Sequence, residues 1–311
     1  MRPLSVIKAL LAVVFWGASF IATKVALRDV QPIVVITLRF AMGVVVLFIA
    51  LRLRRLRVVV DRRDWPILIV LGFNGVWLHQ MLQATGLAQG ASATNTGWYV
   101  ATIPIFTALL AAIFLKETIG PIKIAGIVVA TLGVLLVVSK GNLGDVIAHG
   151  LPVTIGDLLA LASAPNWAIF SVISKSVLKR YQPTIMMTVV MTVGWLMLLP
   201  FFIASSGLGQ IAHITAAGWA GILFLGVACS GLAYIFWYDV LHAADASSVA
   251  SFLYLEPIVT VIVASIVLDE AIVPATIIGG AIILFGVWLV SRPTATANRF
   301  ALNQEAEQII E

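Results

Sequence analysis

The two halves of this chain carry the same landmarks in the same order. Trp16, Lys24 and the pair Gln31-Pro32 recur 151 residues later as Trp167, Lys175 and Gln182-Pro183. Pro104, Glu117, Pro121, Gly126 and Gly133 recur 153 residues later as Pro257, Glu270, Pro274, Gly279 and Gly286. Between the landmarks each half holds five apolar stretches. If each stretch crosses a bilayer, an odd number per half makes the second half run opposite to the first. Few folds satisfy both an exact internal order and an inversion.

The solvent for these stretches is lipid. The chain is 61% hydrophobic and 11% charged, with mean hydropathy +1.08, whereas a soluble domain carries about 25% charged residues. A helix needs roughly 20 apolar residues to cross the hydrocarbon. Stretches of that kind run over Leu4–Ala26, Ile33–Leu51, Trp65–Thr85, Ser92–Leu115 and Pro121–Ser139, then Val153–Ser174, Thr184–Ala204, Ala216–Tyr238, Ala246–Leu268 and Val273–Ser291. None alternates as a barrel strand would. The expected fold is therefore an all-α membrane protein of ten transmembrane helices, built as two inverted five-helix repeats. The first repeat covers 1–139 and the second 153–292, joined by a loop at 140–152. A polar tail follows at 293–311. Arg2 followed by an apolar run resembles a signal peptide, but the match of Trp16 with Trp167 makes this run a retained span.

Basic residues orient the bundle. Arg52, Arg54, Arg55, Arg57, Arg62 and Arg63 follow the second span. Lys116 and Lys123, Lys179 and Arg180, and Arg292 fall on the same side if there are ten spans. By the positive-inside rule that side, with both termini, is cytoplasmic. The charge of +5 is explained by these loops, so a nucleic-acid partner is not expected. The single cysteine, Cys229, excludes an intrachain disulfide and a cysteine metal site. No His-Glu-x-x-His, P-loop or Gly-x-Ser-x-Gly is present, so neither catalytic residues nor a cofactor are expected.

Inverted repeats with a site between them characterise secondary transporters, and polar groups inside spans mark candidate sites. His79 and Gln83 share a helix face, as do Asn95 and Tyr99. With Trp98, Trp16, Trp167, Tyr234, Trp237 and Tyr254 they are expected to line a central cavity. Tyr-rich walls suit flat amphipathic solutes. The bland alternatives are interfacial anchoring and helix packing. Glu256 could carry a proton, bind an amine, or bond backbone freed by Pro257. Arg39 could bind a carboxylate or tie two helices together. Pro104 and Pro257 each deny a backbone bond at mid-span and are candidate gate hinges. Lys24 and Lys175 read as snorkelling anchors, and Glu117 and Glu270 as loop-edge residues.

Trp16-Gly17-Ala18-Ser19-Phe20, Leu38-Arg39-Phe40 and the duplicated Pro104–Glu117 and Pro257–Glu270 segments resemble the EamA-type exporters of the drug/metabolite transporter superfamily. The resemblance covers about residues 8–291. It implies two EamA units and export of small metabolites across a bacterial inner membrane. The aromatic content is similar to that of the family's aromatic amino-acid exporters. Amino acids are therefore the favoured solute, with the lipid bilayer as surroundings and no obligate protein partner. A nucleotide-sugar or drug carrier of the same fold is the rival within transport. A channel and a membrane-embedded lipid-modifying enzyme are the rivals outside it.

Overall fold

The protein was described from a computed structural model covering residues 3–115, 120–142, 153–243, 249 and 251–291. Glu117, most of the 140–152 loop and the 293–311 tail lie outside the described residues. Ten apolar helices account for nearly all of the rest. They are α1 (Pro3–Ala26), α2 (Pro32–Leu53), α3 (Arg62–Ala88), α4 (Ala93–Phe114), α5 (Pro121–Val138), α6 (Ile155–Leu178), α7 (Pro183–Ala204), α8 (Ala216–Val240), α9 (Phe252–Val267) and α10 (Pro274–Ser291). All except α9 are long and apolar enough on their own to cross a membrane. No strand occurs among the described residues.

Helix ends follow local chemistry. Pro32, Pro121 and Pro183 start α2, α5 and α7, where a missing N–H costs nothing. Thr154 caps α6 in a reciprocal box with Asp157. Ser92 caps α4 through the Asn95 N–H. Large apolar side chains such as Phe48, Ile113, Phe114, Ile266 and Phe285 stay exposed on the bundle's exterior, which is the surface lipid would cover. The α2 helix, rich in buried positions, runs through the core with α7, α3 and α8 around it.

The packing partners exchange when the halves are exchanged. α1 packs on α8 and α9, and its repeat mate α6 packs on α3 and α4. α2 packs on α8, and α7 on α3. α2 meets α7, α4 meets α9 and α5 meets α10, each with its own mate. The fold therefore has an approximate two-fold axis. Five spans per half place that axis in the plane of the membrane.

The α5–α10 pair shows the symmetry at atomic scale. A Cβ on Gly126 would lie 2.6 Å from the Gly286 carbonyl, and one on Gly286 would lie 2.6 Å from the Gly126 carbonyl. Gly133 and Gly279 face each other in the same way, at 2.7 and 2.8 Å. The glycine pairs visible in the sequence are thus the close-approach surface of the two helices. Gly133→Ile should force α5 from α10. The expected loss is on the order of 1–3 kcal/mol of stability, as for other overpacked interfaces. It is measured as a lower melting temperature of the purified protein, and an unchanged melting temperature would show the contact to be slack.

Candidate functional site

Two helices leave α geometry at matching places. Phe73–Leu78 in α3 and Phe224–Leu232 in α8 form wider turns with i→i+5 bonding. Phe73 and Phe224, and likewise Gly75 and Gly226, stand at the same 151-residue offset. Widened turns are frequent at functional sites, and lipid satisfies none of the carbonyls they displace. The first helix of the opposite half supplies the donors. From α1, Trp16 Nε1 donates to the Cys229 carbonyl at 3.2 Å. From α6, Asn166 Nδ2 donates to the Asn74 carbonyl at 3.0 Å, and Asn74 Nδ2 donates back to Asn166 Oδ1 at 2.9 Å. Pro165 interrupts the backbone ladder of α6 beside this contact.

Around the α8 turn an aromatic and ionic group collects from four helices. Trp16 meets Tyr234 edge-on and lies tilted against Trp237, both at 5.4 Å between ring centroids. Arg39 of α2 is buried; its Nε donates to Ser230 Oγ at 2.7 Å and its Nη1 to Gln80 Oε1 at 2.9 Å. Glu256 opens the helical part of α9, its carbonyl pressed against Gly17 of α1. Arg39 and Glu256 both act electrostatically on Tyr234 and Cys229. They do not pair with each other, and among the described residues neither has an ion-pair partner. A cavity of about 10 Å³ beside Arg39 is lined by Thr23, Gln80 and Gln83 together with apolar neighbours.

The other expected site residues sit elsewhere. Trp167 lies tilted against His79 and stacks on Phe170 on the α3–α6 side, each at 4.7 Å between ring centroids. Gln83 reaches toward Ser163 of α6 from the same helix as His79. Trp98 does not join Trp16. Its indole fills the space where a Cβ on Gly280 of α10 would stand, in a cluster with Ile105, Ala130 and Val261. Tyr99, one residue on, turns to the other flank and donates to Asp157 of α6 at 3.0 Å, with Asn95 beside its hydroxyl. The 100° step between consecutive helical residues separates Trp98 from Tyr99. Tyr254 bonds Ser291 Oγ at 3.1 Å, toward the end of α10. Pro104 and Pro257 each stand second in a new helical segment, Ile103–Leu115 and Glu256–Val267. These are breaks between segments and not kinks within one helix.

Ion pairs close the ends of the bundle. At the arginine-rich end, Asp239 of α8 accepts from Lys8 at 2.7 Å and from Arg54 at 2.8 and 2.9 Å. There too Tyr181 donates to Asp64 at 2.6 Å, beside the Arg180–Asp64 pair. That bond holds the Tyr181 hydroxyl above its usual range. At the opposite end, Lys24 pairs with Glu270 at 2.9 Å. The same carboxylate accepts from the Ala93 and Thr94 N–H groups at 3.0 and 3.1 Å, at the positive start of α4. Lys24 and Glu270 are therefore not separate anchors; they join the two halves. Glu117, the repeat mate of Glu270, lies outside the described residues.

Burial alone would raise the Glu270 carboxyl, but Lys24 and the two N–H groups outweigh it and hold it below the usual range. A carboxylate lowered by folding contributes stability above its unfolded pKa and loses it as pH falls through the folded value. The parent should therefore be more heat-stable than Glu270→Gln at neutral pH. The gap should close as the medium is acidified through the carboxylate range. Melting curves across that range check this, and a constant gap would remove the ion pair as its cause.

The profile of the EamA-like transporter family matches residues 3–139 and 154–292. An uncharacterized transporter of Archaeoglobus fulgidus is 31% identical over 90% of this chain and 94% of its own. A probable terminal-alkyne amino-acid exporter of Streptantibioticus cattleyicolor is 31% identical over 94% of each chain. A probable amino-acid metabolite efflux pump of Escherichia coli is 26% identical over 90% of this chain and 92% of its own. A protein of known crystal structure superposes with a TM-score of 0.62 at 20% identity, over 94% of this chain and 99% of the other.

Proposed function

The chain belongs to the EamA-like transporter family, and from that premise we propose that it exports amino acids, aromatic ones included, by alternating access. It is a multi-pass membrane transporter and not an enzyme. In the proposed arrangement residues 1–139 and 153–292 are the two moving units. The arginine-rich end and both termini face the cytoplasm of a bacterial cell, as the bias of Arg52–Arg63 suggests.

One observation carries the solute class. Trp16, Tyr234 and Trp237 form a wall near a cation, Arg39, and a carboxyl, Glu256, neither of which has an ion-pair partner among the described residues. A zwitterion with a flat side chain offers a partner to each. Two relatives, a probable terminal-alkyne amino-acid exporter and a probable amino-acid metabolite efflux pump, support the same class. Trp167, His79 and Gln83 are proposed as the corresponding wall on the α3–α6 side. Trp98, Tyr99, Asn95 and Tyr254 act on the solute only through the helices they pack. Pro104 and Pro257 mark the segment boundaries about which α4 and α9 bend.

Efflux from proteoliposomes loaded with amino acids, sugars or cationic drugs tests the class. Saturable counterflow of phenylalanine and related amino acids is expected. Sugar or drug counterflow without amino-acid counterflow would overturn the assignment, and unsaturable flux would make the protein a channel.

Glu256 is the proposed proton carrier. Glu256→Gln should abolish acceleration of net transport by an imposed pH gradient while leaving solute exchange intact, because exchange moves no net proton. Parent-like acceleration in the variant would make export independent of this carboxyl.

A further inference from the structure

Arg39 is a buried cation with no ion-pair partner among the described residues. Its Nε and Nη1 are held by neutral oxygens of Ser230 and Gln80, and its guanidinium lies over the Phe40 ring at 5.4 Å from the centroid, so every contact it makes among the described residues is with a neutral group. Removing a guanidinium from water without a counter-charge is costly, and a tie between helices needs no charge at all. The planar fork is suited to carboxylate. Glu256, an intramembrane carboxyl, does not pair with it.

The surroundings are those of a closed recess. Thr23, Gln80 and Gln83 are buried polar groups lining the small cavity with Arg39. His79, one residue before Gln80, is also buried, and its Nδ1 lacks a partner. The volume of about 10 Å³ is that of a single water. Lys24, the residue after Thr23, is locked to Glu270 at that end of the bundle. The recess therefore lies beside the Lys24–Glu270 end of the bundle.

We infer that Arg39, with Gln80 and Thr23, is the docking point for the carboxylate of the transported solute, reached from the Trp16–Tyr234 wall and enlarged as the Lys24–Glu270 end parts. The inference rests on reading that junction as the solute's path. Arg39 then supplies the missing half of zwitterion recognition opposite Glu256. It holds the solute about a third of the way in from the end at which it leaves, since Arg39 is the eighth residue of α2.

Heat-unfolding of the purified parent protein tests this with defined probes: phenylalanine, benzoate, phenylalaninamide, benzamide and chloride. The two carboxylates should raise the melting temperature, and the two amides and chloride should not. Arg39→Gln should be at least as stable as the parent without ligand, because an uncompensated charge is gone. Its apparent affinity for the carboxylates should fall by at least about ten-fold, the worth of one charge-assisted hydrogen bond. Arg39→Lys should fall between the two. Equal stabilisation of the parent by acid and amide, or by chloride and carboxylate, would overturn the inference without any variant being folded. So would an Arg39→Gln protein destabilised without ligand yet unchanged in its response to carboxylates, which is the behaviour of a structural tie. Carboxylate stabilisation through Arg39 without phenylalanine counterflow would retain this site and overturn the amino-acid assignment alone.

Discussion

Lipid satisfies no backbone hydrogen bond, and this governs where the chain can depart from the α-helix. It does so at mid-span in α3 and α8, and each departure is met by a side chain from the first helix of the other half. Trp16 covers the Cys229 carbonyl and Asn166 covers the Asn74 carbonyl. The irregular turns of each half are therefore tied to the first helix of the other. The glycines at the same level, Gly43 against Ser230 and Gly194 against Gly72, let the helices approach closely enough for such bonds to form. Fold and site thus depend on a single arrangement, a clamp of each half upon the other.

The distribution of charge follows the same logic. At both ends of the bundle the carboxylates of Asp239, Asp64 and Glu270 are matched with lysine or arginine, near enough to water for the pairs to exchange. In the interior Arg39 and Glu256 are kept apart. An interior ion pair between them would be strong in a low dielectric and would leave nothing to offer a solute. Unpaired, they carry a desolvation cost, and in the proposed function an incoming zwitterion relieves it. The Lys24–Glu270 link joins α1 to the start of α4 at the nearer end.

The duplicated landmarks were enough to read ten spans, two repeats and the inversion, because spacing is retained where helices of fixed length must cross a fixed thickness. Gly126, Gly133, Gly279 and Gly286 were visible for the same reason. Pairing across the repeats was not. The repeat equates Lys24 with Lys175 and Glu270 with Glu117, yet the contact is between Lys24 and Glu270. Equivalence under a symmetry says nothing of which surfaces touch. Trp98 and Tyr99 stand side by side in sequence and were expected in one cavity; the helical step sends one to Gly280 and the other to Asp157. The wide turns have no proline to announce them, although Phe73 with Gly75 and Phe224 with Gly226, recurring at one offset, were a usable signal. Asn166 and Ser230 went unnoticed because a single small polar residue in an apolar run has no pattern.

The most direct measurement of the two-sided mechanism is a pair of distances taken in the same preparation. Spin labels at Gln89 and Ile272 report the Lys24–Glu270 end, and labels at Val59 and Lys179 report the arginine-rich end; all four positions are exposed. Distance distributions are recorded in lipid with and without a transported amino acid. Rocking of the halves about the central clamp predicts opposed changes, the first distance lengthening as the second shortens. Transport with both distances unchanged, or with both ends open at once, would contradict it.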